Sequence, residues 1–238
     1  MLLVLRTGDA IPDVAAHRGE FFRWIQEGIG DAWDGAWEEH DARVAEPLPI
    51  SGARLGIVVT GSSHSVTERA PWMLRAEAWL REAVGSGVPV FGICFGHQLL
   101  AQALGGHVVK NPRGREIGTV EIETLRAAGD DPVFQGLPSR FEVNATHVDT
   151  VERLPAGATL LSRTPLEPHA AFRLGSAWGV QFHPEIDGDV MRRYIHARRA
   201  ILAEESIDWE RLHGGAKDAP YAVALMRNFV SRVVRSPR

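Results

Sequence analysis

The chain has 238 residues, 45% of them hydrophobic, with one cysteine and a formal net charge of −4. That is enough apolar content for one substantial core, and cations scattered over an acidic chain give no reason to expect a nucleic-acid partner. A lone thiol excludes an intrachain disulfide, no stretch approaches the ~20 apolar residues of a membrane helix, and residues 1–6 are too short for a signal-peptide core, so no membrane association and a cytoplasmic address are expected.

Residues 2–5 and 55–59 read as buried strands, the second ending at the turn-forming Thr60-Gly-Ser-Ser-His64. Between them, residues 27–49 place Trp33 and Trp37 among acidic residues and glycines; they read as a surface loop with an aromatic anchor. Pro71 suits the first turn of a helix in which Trp72, Met73, Ala76, Trp79, Leu80, Ala83 and Val84 recur at helical spacing before Gly85-Ser-Gly87 ends it. With the strand that follows, this makes a strand–helix–strand unit. Its right-handed crossover puts the loop after Val59 and the end of the next strand at the same carboxyl edge, where open α/β sheets bind ligands.

The next strand, residues 88–93, crowds Val, Phe and Ile without polar alternation and stops at Gly92-Ile-Cys-Phe-Gly96. The two glycines remove the Cβ atoms that would block a sharp strand-to-helix reversal, so Cys94 is expected at its apex. Gln98, Leu99, Leu100, Ala103 and Leu104 continue as a helix toward Gly105-Gly106. The thiol then lies at a helix N-terminus, where unpaired N–H groups and the dipole favour thiolate. A buried structural cysteine is the alternative.

Short strands follow at 116–124, 141–143, 158–163, 169–174 and 177–183, separated by Gly, Pro and Asp and expected to add antiparallel to the sheet. The rest is helical. Val190, Met191, Tyr194, Ile195, Ile201 and Leu202 form one stripe, and Leu225, Met226, Phe229, Val230 and Val233 form another after Pro220, with a loop near Gly214 between them. Arg192-Arg193 and Arg198-Arg199 are assigned to the solvated face of the first stripe. The expected fold class is α/β: a three-layer, open, twisted, mostly parallel sheet with helices on both faces, residues 1–238 making one domain on which 187–238 pack as a helical extension.

A thiolate attacking an amide needs a base that later returns a proton to the leaving nitrogen, and histidine suits that exchange. Of ten histidines, His183 ends an apolar strand, and Pro184 forbids its continuation in a central position. Glu185 lies two residues on, so an extended backbone would put imidazole and carboxylate on one face, as a Cys–His–Glu triad requires. His147-x-Asp149 and His183-x-Glu185 also offer metal-ligand types, but the glycine-bracketed cysteine has no role in a metal site, and neither metal nor cofactor is expected.

Gly92-Ile-Cys-Phe-Gly-His-Gln-Leu-Leu-Ala101, Ala103-Leu-Gly-Gly106, Val180-Gln-Phe-His-Pro-Glu185 and Val59-Thr-Gly-Ser62 resemble the class I, triad-type glutamine amidotransferases. The likeness is greatest to proteins similar to the amidotransferase domain of guanosine monophosphate synthetase. It covers residues 50–186, including Asn111-Pro-Arg-Gly-Arg-Glu-Ile-Gly118 and Thr146-His-Val-Asp149. It implies a flavodoxin-like architecture and a mechanism in which Cys94 attacks the glutamine carboxamide, His183 moves the proton and Glu185 orients the imidazole. The resemblance also implies an oxyanion hole from the backbone N–H groups of Gly61 and Phe95, a substrate-binding role for Gln98 and Gly61, and a loop position near substrate for His147. His97, displaced around the helix, is assigned to packing. Ser62-Ser63-His64 departs from the Gly-Gly-Pro form of many synthetase-linked members.

Three functions follow. The first is a glutaminase that supplies ammonia to a separate synthetase chain, since no phosphate loop is present. The others are a γ-glutamyl hydrolase or peptidase acting on γ-glutamyl amides, and a non-catalytic binding or regulatory member. The ligand expected is glutamine or another small γ-glutamyl compound, and a homodimer is compatible with the sequence.

Overall fold

The computed structural model describes residues 1–44 and 56–235. In chain order it runs β1 (Leu2–Arg6), α1 (Pro12–Arg18), α2 (Phe21–Ile29), β2 (Trp37–Asp41), β3 (Gly56–Val59), α3 (Pro71–Gly85), β4 (Val90–Ile93), α4 (Phe95–Ala103), β5 (His107–Lys110), β6 (Glu116–Thr124) and β7 (Arg140–His147). Then come β8 (Asp149–Arg153), β9 (Thr159–Arg163), β10 (Ala171–Leu174), β11 (Ala177–Val180), α5 (Gly188–Ala197), α6 (Arg199–Glu204), α7 (Trp209–Gly215) and α8 (Pro220–Asn228), which continues as a wider turn over Phe229–Val234.

Strand alternation decides the layers. In β1, Leu2 and Val4 join a core with Ile25, Leu225, Met226 and Phe229, whereas Leu3 and Leu5 join one with Met73, Leu80, Leu99 and Leu100. Both faces are therefore covered, by α2 and α8 on one side and α3 and α4 on the other, which explains the unbroken apolar runs of β1, β3 and β4. The sheet order is β2-β1-β3-β4-β11-β10-β9-β6-β7. From β2 to β11 the neighbours are parallel. From β11 to β7 they are antiparallel. β5 and β8 form a separate antiparallel ribbon. The parallel pairing of β3 with β4 brings the loop after Val59 and the end of β4 to one edge, as expected.

Two expectations change. Residues 27–44 are not a loop: α2 runs to Ile29 and β2 pairs in parallel with β1 at the sheet edge. Trp37-Glu-Glu-His-Asp41 carries no apolar alternation because an edge strand is held largely by its ladder of backbone hydrogen bonds, with Trp37 edge-on to Phe22 at 6.1 Å. Residues 45–49 of that expected loop, and Leu55, lie outside the described residues. The strand expected over 177–183 stops at Val180. Phe229 also sits 5.3 Å from Phe91 and 6.0 Å from Trp178, so the C-terminal chain completes one face of the core. Among the described residues no helix is long and apolar enough to cross a membrane.

Candidate active site

β4 ends at Ile93 and α4 begins at Phe95, so Cys94 alone makes the reversal, at φ 50° and ψ −102°. Such a conformation costs a non-glycine residue ~1–3 kcal/mol and persists only where the surroundings over-determine it. They do so here. The Cys94 N–H donates to the Val180 carbonyl at 2.8 Å, and its carbonyl accepts the Gln98 N–H at 3.1 Å. A Cβ on Gly92 would lie 2.5 Å from the Gly96 carbonyl oxygen, and one on Gly96 would run into the Val59 carbonyl. The glycine bracket is thus a matter of clearance between backbones.

The Cys94 thiol is buried, donates to the Thr146 carbonyl oxygen at 3.9 Å and is coupled electrostatically to His183. His183 Nδ1 is 2.7 Å from Glu185 Oε1, which leaves the other ring nitrogen for the thiol. The carboxylate does not reach the imidazole by strand alternation. Pro184 and Glu185 form a turn in which the Ile186 N–H donates to the His183 carbonyl at 3.4 Å, while the His183 N–H donates to the Asn144 carbonyl at 2.7 Å. Asn144 also donates its side-chain amide to the Ile186 carbonyl at 2.8 Å and to the Lys217 carbonyl at 3.1 Å. Phe21 stacks on the imidazole at 6.3 Å.

Burial pushes the thiol pKa up, yet chiefly the charge of His183 outweighs it and leaves Cys94 below the usual thiol value. For His183, burial works downward, but the Glu185 and Cys94 anions prevail and hold the imidazole up at about 10. Both shifts favour the thiolate–imidazolium form of the pair.

At Gly61 a Cβ would lie 2.9 Å from His183 Cε1, so only glycine leaves the imidazole room. The Gly61 carbonyl is tied back by the hydroxyls of Thr7 at 3.2 Å and Thr60 at 3.0 Å. The N–H groups of Gly61 and Phe95, both in buried residues, have no acceptor among the described residues. Phe95 is the first residue of α4, where an N–H has no intrahelical acceptor and is free to meet a ligand.

The chain matches the family Glutamine amidotransferase class-I over residues 39–202, more than half its length. It belongs to the class-I glutamine amidotransferases. The amidotransferase is 42% identical to a GMP synthase (glutamine-hydrolyzing) from Thermomicrobium roseum over 131 residues, 55% of this chain and 23% of that protein. It thus spans about a quarter of the length of the GMP synthases it matches. It is 35% identical over 176 residues to a gamma-glutamyl-L-1-hydroxyisopropylamide hydrolase from Pseudomonas, covering 68% of this chain and 58% of that one. A glutamine amidotransferase structure from Thermotoga maritima superposes with a TM-score of 0.75 at 24% identity over 99% of both chains, a likeness of fold. The flavodoxin-like architecture implied by the motifs is the one found.

Within the amidotransferase, a cleft of ≈ 380 Å³ beside Cys94 is lined by Ser62, Phe95, Gln98, His147 and Arg198 among others. Gln98 is buried, with its amide nitrogen donating to the Asp149 carbonyl at 3.0 Å and to Gln181 Oε1 at 2.9 Å. That bracing ties α4 to the strands beside it. His147 ends β7 instead of lying in a loop; Nε2 is 3.0 Å from Glu116 Oε2 and Nδ1 is 3.0 Å from the Asp149 carbonyl. Both ring nitrogens face acceptors, an arrangement that favours the imidazolium. Burial works against that charge, but Glu116 outweighs it and the His147 pKa is raised. His97 is buried against Phe172 at 5.1 Å and Gly179, where burial pushes its pKa down to about 3 and keeps it neutral.

The two arginine pairs do not share one fate. Arg192 donates to the Ala216 carbonyl at 2.8 Å, while Arg198 lines the cleft, contrary to its assignment to the solvated face. The signal for Arg198 was present: it follows Tyr194 and precedes Leu202 by four residues each, so it shares their buried stripe. Asn144 and Glu116 were missed because their partners are distant in sequence.

Proposed function

We propose that this amidotransferase hydrolyses the side-chain amide of glutamine through a covalent Cys94 intermediate. The observation that carries the reading is the His183 imidazole fixed by the Glu185 carboxylate and coupled electrostatically to the Cys94 thiol, beside two unpaired N–H groups. Cys94 Sγ attacks the carboxamide carbon, and the C=O electrons move onto oxygen, where the Gly61 and Phe95 N–H groups would receive them. Each such donor is typically worth ~2.7–4 kcal/mol in the transition state. The His183 imidazolium gives its proton to the nitrogen, the C–N bond breaks, and ammonia leaves a γ-glutamyl thioester. A water then loses a proton to His183 as it attacks the thioester, and glutamate departs with the thiolate restored. Glu185 stays ionised and fixes the imidazole. Gln98 acts through the cleft wall. By analogy with the GMP synthases, the ammonia acceptor is assigned to a partner synthetase chain.

A second reading, hydrolysis of γ-glutamyl amides with larger leaving amines, is favoured by the Pseudomonas hydrolase relative. One assay separates the readings: glutamate release from glutamine and from γ-glutamyl isopropylamide. Glutamine turnover with loss of at least ~10³-fold in Cys94→Ala is expected. A γ-glutamyl adduct on Cys94 should be seen by mass spectrometry. Equal rates in wild type and Cys94→Ala would rule out covalent catalysis, and turnover of the amide alone would leave the second reading.

A further inference from the structure

Arg198 stands at the break between two helices. Its N–H closes α5 on the Tyr194 and Ile195 carbonyls at 3.2 and 3.1 Å, and it caps α6. The guanidinium lies over the Tyr194 ring at 4.8 Å. Its Nη1 is sealed from solvent with no hydrogen-bond partner, and among the described residues no carboxylate pairs with the guanidinium. The other arginine of the cleft, Arg115, is engaged by Glu205 through bonds of 2.8 and 3.0 Å. Arg198 also lines a smaller recess next to His183, so it borders both the nucleophile and the base. Burying a guanidinium without a counter-charge is unfavourable unless a ligand provides one.

We infer that Arg198 is the carboxylate-recognition residue of this cleft and that the substrate reaching Cys94 carries a carboxylate which the guanidinium fork binds. The inference rests on the γ-glutamyl chemistry proposed for Cys94. A planar carboxylate matches the fork with two parallel charge-assisted bonds, which a lysine could not reproduce. Two substrate positions share that chemistry: the α-carboxylate of the glutamyl half, and a carboxylate on the leaving amine of a γ-glutamyl peptide.

The test pairs each acid with its amide: glutamine with glutamine α-amide, and γ-glutamylglycine with γ-glutamylglycinamide. Arg198→Met keeps an apolar stem on Tyr194. It is expected to lower kcat/KM about 10- to 100-fold for the acid of one pair, chiefly through KM, and to change the matching amide no more than about twofold. The first pair responding places the carboxylate on the glutamyl half; the second alone places it on the leaving amine. Arg198→Lys, which retains the charge, should fall between, and it serves as the test if the methionine variant does not fold. Losses equal for acid and amide in both pairs overturn the inference. If wild type turns over none of the four substrates, the hydrolytic reading fails, and protection of Cys94 from iodoacetamide by L-glutamate then tests Arg198 alone. Protection weakened about 10-fold or more in the variant upholds the carboxylate site; protection unchanged, or absent from wild type, overturns it.

Discussion

Cys94 is held by backbone alone, His183 by side chains as well as backbone. On the nucleophile wall, β4 and α4 close on one another through Gly92 and Gly96, and the strained residue is fixed by peptide hydrogen bonds to Val180 and Gln98. On the base wall, strand pairing stops at Val180, and the His183 segment is hung from Asn144, turned at Pro184 and stacked on Phe21. The first wall tolerates no added atom. The second depends on polar partners from β7 and the C-terminal chain. Damage to the first should therefore appear as lost stability, and damage to the second as altered thiol chemistry in a protein that still folds.

The largest effect is expected from Gly96→Ala. Its methyl would meet the Val59 carbonyl with no flexible side chain to move aside, so the clash must be relieved by separating α4 from β3. Overpacking typically costs 1–3 kcal/mol, and a backbone collision belongs at or above ~3 kcal/mol. Urea unfolding measures it. A variant of wild-type stability would mean that the turn is not closed by glycine clearance.

The same contrast explains what the sequence could reveal. The constraint on Cys94 is local, written in residues two positions to either side, and it was legible as a motif. The partnership of His183 with Glu185 was legible too, but not its geometry: an extended backbone was expected where a turn is found, because proline and a two-residue spacing suit both. Trp37–Asp41 gave no strand signal because its pairing is made by backbone groups that polar side chains do not betray. Arg198 was placed in solvent by its charge although its helical spacing put it beside Tyr194, and His147 was placed in a loop although it ends a strand. In both cases position in the helix or strand and long-range partners outweigh local chemistry.

Next in size is His183→Ala. Without the imidazolium, burial is left as the dominant influence on Cys94, so the thiol pKa should rise from below its usual value to at or above the ordinary ~8.5. Each unit of rise removes about tenfold of the thiolate at any pH well below the pKa. The rate of Cys94 alkylation by iodoacetamide against pH measures the inflection, and the lone cysteine makes the signal unambiguous. In wild type the rate should be lost only as pH falls through the lowered thiol pKa. An inflection unmoved by the substitution would show that His183 is not the source of the lowered value.

The smallest shift is expected from Glu116→Gln, which acts on the thiol only through His147. Losing the carboxylate lets burial push the His147 pKa down, so the ring gives up its charge at lower pH and Cys94 loses a second, weaker cation. The alkylation inflection should move upward, but by less than in His183→Ala. Stability provides an independent check with a defined sign. The folded pKa of His147 is raised, so the Glu116 pair stabilises the fold fully below the unfolded value of ~6.5 and loses that contribution as pH rises through the folded value. The stability gap between wild type and Glu116→Gln in urea should accordingly be widest below pH ~6.5 and narrow as pH rises beyond it. A gap that widens toward alkaline pH would mean His147 is neutral in the fold, and its two acceptor neighbours would then need another source of protons.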